Sequence, residues 1–182
     1  AMLNYQGESG YRAIVQSVMD TTKRMIAGIR EIPGLRVLGE PHMCMYSIAS
    51  DDFNIYELAD AMKDRNWYLQ PQFSIGGSPP NLHITVNLNS AAIVEPFLSD
   101  LRESVAEVKA NPDAINSALI REQVQALVRD TNEGSLGDLA AMVGIDGTNL
   151  PEKMAMLNTI LDIIPDEMTE TVLIDFMNDL YV

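Results

Sequence analysis

Apolar residues at Tyr11, Ile14, Val15, Val18, Met19, Met25, Ile26 and Ile29 recur mostly three or four positions apart, the spacing that lines one face of a helix. Pro33-Gly34 ends that run, and the short apolar segment Leu35-Arg36-Val37-Leu38 reads as a strand. Glu40-Pro41-His42 interrupts it, and Met43 to Ala49 resumes an extended pattern. Asn54, with Glu57 three residues on, has the form of an N-cap; it opens a helix over 55–65 whose buried stripe is Ile55, Leu58, Ala59 and Met62. Trp67-Tyr68-Leu69 begins a third strand. The loop Ser74-Ile75-Gly76-Gly77-Ser78-Pro79-Pro80 leads to a fourth, in which Leu82, Ile84 and Val86 alternate with His83 and Thr85 on the opposite face. A further helix starts at Ser90 and runs to about Lys109; Pro96 requires it to kink there or to start later.

The predicted order is α-β-β-α-β-β-α. Strands this close in sequence leave no room for parallel crossovers except across the helix at 55–65, so the fold class is α+β: a small, mainly antiparallel sheet with helices packed on one face. Beyond residue 110 the signals change to helix starts alone. Asn111-Pro112, the capping-box form Ser135-Leu136-Gly137-Asp138, and the prolines Pro151 and Pro165 predict helices over 112–130, 135–144, 150–163 and 166–180. Two units follow, a sheet-containing domain over 1–110 and an all-helical extension over 111–182. Methionine pairs such as Met154 and Met156, or Met168 and Met177, suit irregular helix contacts.

At 182 residues and 47% apolar content the chain can bury one good core or two small ones, as a soluble globular protein does. The longest apolar run, Met43 to Ile48, falls well short of the ~20 residues a membrane helix needs. The first residues, Ala1-Met2-Leu3-Asn4, show no signal-peptide pattern, and Ala1 before Met2 reads as a remnant of a purification tag. The cytoplasm is the expected location. Net charge is −14, unevenly spread: residues 1–110 carry 9 basic and 13 acidic side chains, residues 111–182 carry 3 and 13. An extension this acidic does not bind nucleic acid, which requires a basic surface that releases counterions. It fits a solvated face or a basic protein partner.

Candidate chemistry is sparse. Two histidines, His42 and His83, and one cysteine, Cys44, provide no zinc-type ligand spacing, no disulfide and no Ser-His-Asp set. Cys44 reads as a small packed thiol. The acidic pairs Asp51-Asp52 and Asp166-Glu167 sit at helix starts, where carboxylates meet the helix dipole favourably. Neither a Walker sequence nor a dinucleotide fingerprint occurs. His83 has two readings: a hydrogen-bonded residue of the strand, or a group poised for function.

Residues from Tyr5 to Lys109 resemble a known family. The segments that carry the resemblance are Gly7-Glu8-Ser9-Gly10-Tyr11, Ile32-Pro33-Gly34-Leu35-Arg36-Val37-Leu38-Gly39-Glu40-Pro41, Ile55-Tyr56-Glu57-Leu58-Ala59-Asp60-Ala61-Met62 and Pro80-Asn81-Leu82-His83-Ile84-Thr85-Val86. They are similar to the C-terminal domain of the pyridoxal-phosphate-dependent decarboxylase and sphingosine phosphate lyase family, including bacterial proteins labelled glutamate decarboxylase. The helices beyond Asn111 have no counterpart in that resemblance. It implies the small, aminotransferase-like domain of a fold type I enzyme, which closes over an amino acid or phosphorylated amine while the cofactor ring acts as electron sink. The cofactor lysine of the family follows a histidine in the large domain. The lysines here, Lys23, Lys63, Lys109 and Lys153, do not follow a histidine.

The resemblance therefore implies a domain fragment of a lyase or decarboxylase that binds no cofactor itself and is inactive alone. Pyridoxal phosphate belongs to the full-length enzyme, and the missing large domain is the expected partner, with self-association through the exposed face as another outlet for it. By analogy with related transaminases, His83, Thr85, Tyr68 and Gln70 are the expected substrate-facing residues; structural polar positions on an uncovered strand face are the alternative. The competing reading of the whole chain is a stand-alone interaction module that uses the acidic tail or the exposed sheet face.

Overall fold

The computed structural model describes residues 2–129, 151–165, 170 and 174. Helix α1 spans Met2–Arg30, broken at Gly7, whose φ of 61° and ψ of 179° leave helical space. Only its second half is packed: Met25, Ile26 and Ile29 are buried, whereas Tyr11 and Val15 are exposed. The predicted stripe is thus correct in phase but uncovered over its first turns. After α1 the chain turns at Gly34 (φ 95°), with the amide of Leu35 donating to the carbonyl of Ile32.

Strands β1 (Arg36–Val37), β2 (Met45–Ala49), β3 (Gln70–Gln72) and β4 (Asn81–Thr85) form one sheet in the order β1-β2-β4-β3. Every pairing is antiparallel. Helix α2 (Ile55–Asp64) carries the chain from β2 to the far edge, and β4 returns between β2 and β3, so no parallel pair forms among the described residues. Register sets the two faces. Tyr46 pairs with Ile84 and Ile48 with Leu82, and all four are buried toward the helices. Ile29 of α1, Leu58 and Met62 of α2, and Leu101 of α3 (Val94–Ala110) join them in one core. Trp67 closes its rim, edge-on to Phe97 at 5.4 Å and donating its indole N–H to Asp100 at 2.6 Å.

The helix expected from Ser90 starts later. Asn87 and Ser90 cap each other's backbone and hold Leu88–Ile93 in a 3-10 turn, so α3 begins at Val94 and Pro96 falls in its first turn, where no N–H is needed. The helix expected from 112 also shifts. Asn111 turns its side chain onto the amide of Asp113, and Asn116 instead caps α4 (Ser117–Arg129) through the amide of Leu119. Helix α5 spans Ala155–Ile163 within the predicted 150–163. Ile120 and Val124 of α4 meet Leu157 and Ile160 of α5 in a second, smaller apolar cluster. The expected helix over 135–144 and the Ser135 capping box lie outside the described residues, as does the segment over 166–180 except Glu170 and Ile174, which are helical and exposed.

Candidate functional site

Antiparallel pairing carries the polar members of each strand to the face opposite the core. His83 sits between Ser47 of β2 and Gln70 of β3 as cross-strand partners, and Thr85 lies opposite Met45. The Thr85 hydroxyl and His83 Nε2 are 3.4 Å apart. Tyr68, two residues before Gln70, is 80% exposed, and Met45 is 52% exposed. Three of the four sequence-predicted residues, Gln70, His83 and Thr85, therefore share one sheet face, whereas the strand expected from Trp67 begins only at Gln70, so that Tyr68 lies in the exposed connection before β3. The face offers an imidazole, an amide and hydroxyls, and at its β1 edge Arg36, which lies opposite Ala49 and is paired with Asp51. Such groups can hydrogen-bond to a polar surface or ligand but do not by themselves assemble a nucleophile. Sequence reasoning passed over Ser47, although a lone polar residue in an apolar alternating run is a signal of an uncovered face.

A second constellation lies along the outer side of α2. Asn54 accepts from the amides of Tyr56 and Glu57, as an N-cap should, while its own amide donates to Ser117 Oγ and Thr159 Oγ1. Glu57 does not return to the cap. Its carboxylate accepts from the amide of Ile115 at 3.1 Å and lies 3.5 Å from Asn111 Nδ2. Asp60, only 7% exposed, accepts from the amides of Met154 at 3.1 Å and Ala155 at 2.8 Å, so it caps α5 from another helix. Lys63 donates to the carbonyl of Glu152. Asn54, Glu57, Asp60 and Lys63 repeat every third residue, a polar stripe visible in the sequence but silent about its partners.

Burial holds the Glu57 carboxyl above its ordinary range, with Asp60 adding to the rise and the Ile115 amide, Asn111 and Lys153 opposing it. The folded state thus favours the protonated form. Its contribution is present below the unfolded value of ~4.3 and is lost as pH rises through the raised folded value. Glu57→Gln keeps an acceptor for Ile115 and removes the charge. We expect its melting temperature relative to the native chain to improve by about 1 °C or more between pH 4 and pH 8. Thermal unfolding of both proteins across that range checks this, and a difference that is flat or falls with pH contradicts it.

Other sequence expectations resolve differently. Asp51 and Asp52 do not serve the α2 dipole: Asp51 holds Arg36 in a two-point pair at 2.9 and 3.0 Å, and Asp52 meets Lys109 at 3.1 Å. Asp166 and Glu167 lie outside the described residues. Cys44 is half-buried against the main core. Among the described residues no group of His, Cys, Asp and Glu could hold a metal ion. Three of the four lysines make structural contacts: Lys63 with Glu152, Lys109 with the Pro33 carbonyl and Asp52, and Lys153 with Asp64. Lys23 is exposed on α1.

Comparison with known proteins gives these arrangements a context. Residues 100–179 match the family described as "Pyridoxal-dependent enzyme, C-terminal putative HTH domain", which takes in most of α3, then α4 and α5. The chain is similar to sphingosine-1-phosphate lyase of Oryza sativa, 38% identical over 116 residues that make up 64% of this chain and 21% of the relative. The Arabidopsis thaliana protein of the same name is 37% identical over 113 residues, 62% of this chain and 20% of the relative. Among solved structures, a sphingosine-1-phosphate lyase of Burkholderia pseudomallei superposes with a TM-score of 0.54 at 29% identity, over 72% of this chain and 28% of that one. A glutamate decarboxylase of Lactobacillus brevis shares the fold, with a TM-score of 0.54 at 16% identity, over 60% of this chain and 27% of that one. The chain thus spans about a fifth of the length of the plant relatives.

Proposed function

We infer, from the premise that this chain is a C-terminal portion of the pyridoxal-phosphate-dependent decarboxylase and sphingosine phosphate lyase family, that it supplies the small domain of such an enzyme. The observation that carries the reading is the convergence of sequence and fold: 64% of this chain is 38% identical to about a fifth of one lyase, and 72% of it superposes on 28% of another. In the whole enzyme the cofactor supplies the electron sink for cleavage at the carbon bearing the amine. This chain contributes shape and polar contacts. The open sheet face, with Gln70, His83 and Thr85 beside Tyr68, is the surface that faces the large domain and its substrate. Its exposed Met45 and Tyr68 are the kind of apolar area that a neighbour covers. A second copy of the chain is the other candidate cover.

The sheet domain over 1–110 and the helical extension over 111–182 act as separate parts of that assembly. The extension carries 3 basic and 13 acidic side chains, which supports a role other than gripping nucleic acid. No helix among the described residues is long and apolar enough to cross a membrane, and cytoplasmic action is part of the proposal.

The test is covalent trapping. Incubating the purified chain with pyridoxal phosphate, reducing with borohydride and measuring intact mass is expected to give no stoichiometric lysine label. The same treatment of a polypeptide that also contains the large domain is expected to label one lysine outside these 182 residues. Stoichiometric labelling of Lys23, Lys63, Lys109 or Lys153 overturns the reading.

A further inference from the structure

The way α4 and α5 rest on the sheet domain differs from the way the sheet domain holds itself together. Its own helices share one apolar core with β2 and β4, whereas the apolar side chains of α4 and α5 form a separate cluster around Ile120, Val124, Leu157 and Ile160, although α5 lies against α2 as extensively as against α4. Their junction with α2 is a row of hydrogen bonds. Glu57 takes the amide of Ile115, Asp60 takes those of Met154 and Ala155, and Asn54 reaches Thr159. Apolar contact across it is narrow: Ala155 enters the main core, and Ile115 touches both clusters.

Clefts flank the row on both sides. One, of 410 Å³, lies between Asn54, Tyr56, Ser117 and Asp162; the other, of 600 Å³, lies between Glu57, Asp60, Glu107 and Met156. A seam with open space on either flank loses little close packing when it parts, and hydrogen bonds exchanged for water make a small net difference. The connection from α3 passes through residues 111–116, which contain no helix or strand and are held at Ile115 by Glu57.

We propose that the α4–α5 unit is a latched arm, which swings off α2 about residues 111–116 while the sheet domain stays folded. Asp60 is the catch, because it alone satisfies two backbone donors at the start of α5. Parting the seam bares the Asn54-Glu57-Asp60 stripe of α2 and the amides those residues hold. The arm is then a movable part of the domain, and the inference stands independently of the enzyme reading above.

Hydrogen exchange on the full chain, read by mass spectrometry, tests this. Segmental opening gives the amides of α5 less protection than those of β2 and β4. In Asp60→Ala, exchange in α5 is expected to accelerate about tenfold or more while β2, β4 and α2 keep their native rates, consistent with loss of an acceptor shared by two backbone donors, one buried and one part-buried. The unchanged strands show that the variant is folded. Asp60→Asn, which retains one acceptor oxygen, is expected to lie between the two. Equal protection of α5 and β4 in the native chain overturns the proposal. Acceleration of both together in Asp60→Ala, or of neither, does the same.

Discussion

Gly28→Val is expected to destabilise the chain by about 3 kcal/mol, lowering the melting temperature by about 6–12 °C. A Cβ at Gly28 would stand 2.3 Å from Leu98 Cδ1, 2.9 Å from its Cδ2 and 3.2 Å from its Cγ. Those atoms belong to α3, and Leu98 is only 4% exposed, so it has no free space to yield. Glycine at this helix position lets α1 and α3 approach closely, at the ordinary expense of helix propensity. The partner variant makes the cause testable. Leu98→Ala alone is expected to cost about 2–5 kcal/mol by opening a cavity. In the Gly28→Val background it is expected to cost less or to restore stability, a coupling of about 0.5–3 kcal/mol in a double-mutant cycle. Strictly additive losses would show that the two side chains do not contend for the same space.

The elements with a strong local period were legible from the chain. Leu82, Ile84 and Val86 alternate and are buried; Ile55, Leu58, Ala59 and Met62 follow a helical stripe and are buried. Their order alone required a small antiparallel sheet. Boundaries were less legible, because several polar residues compete to cap the same stretch. Ser90 looked like a helix start but spends its hydroxyl on Asn87, and Asn111 turns onto Asp113, leaving the cap of α4 to Asn116. Nor can period reveal whether an apolar face meets anything. Tyr11 and Val15 keep helical phase and remain exposed.

The candidate site was legible in part for a related reason. Alternation placed His83 and Thr85 on one face of their strand, but bringing in Gln70 and Ser47 depends on register across strands remote in sequence. Local reading also misdirected the carboxylates. Glu57 has the spacing of a capping box and instead holds Ile115, 58 residues away; Asp60 caps a helix 95 residues away. Asp51 and Asp52 prefer Arg36 and Lys109 to the dipole beside them. A short acceptor with several donors within reach is decided by tertiary packing, which the chain encodes only through the core.

Gly34 shows how a short sequence word can carry a physical demand, and replacing it is expected to have the second large effect. Its φ of 95° lies where a side chain is strained, and an added Cβ would stand 2.4 Å from Lys109 Nζ and 2.9 Å from Asp52 Oδ2. Lys109 there donates to the Pro33 carbonyl at 2.9 Å and to Asp52 at 3.1 Å, and its ammonium lies 5.7 Å from the Phe53 ring centroid. This one lysine joins the turn after α1, the loop after β2 and the end of α3. Gly34→Ala combines backbone strain of about 1–3 kcal/mol with displacement of that ammonium. We expect a total of about 2–4 kcal/mol, because the lysine is partly exposed and its ion pair adds little. Lys109→Met isolates the second effect, since it removes the charge and keeps a flexible apolar stem. It is expected to cost about 1 kcal/mol, leaving most of the Gly34→Ala loss to the backbone. Denaturant unfolding of the two single variants and the double decides between the causes: a Gly34→Ala loss that disappears in the Lys109→Met background places the cost on the lysine instead.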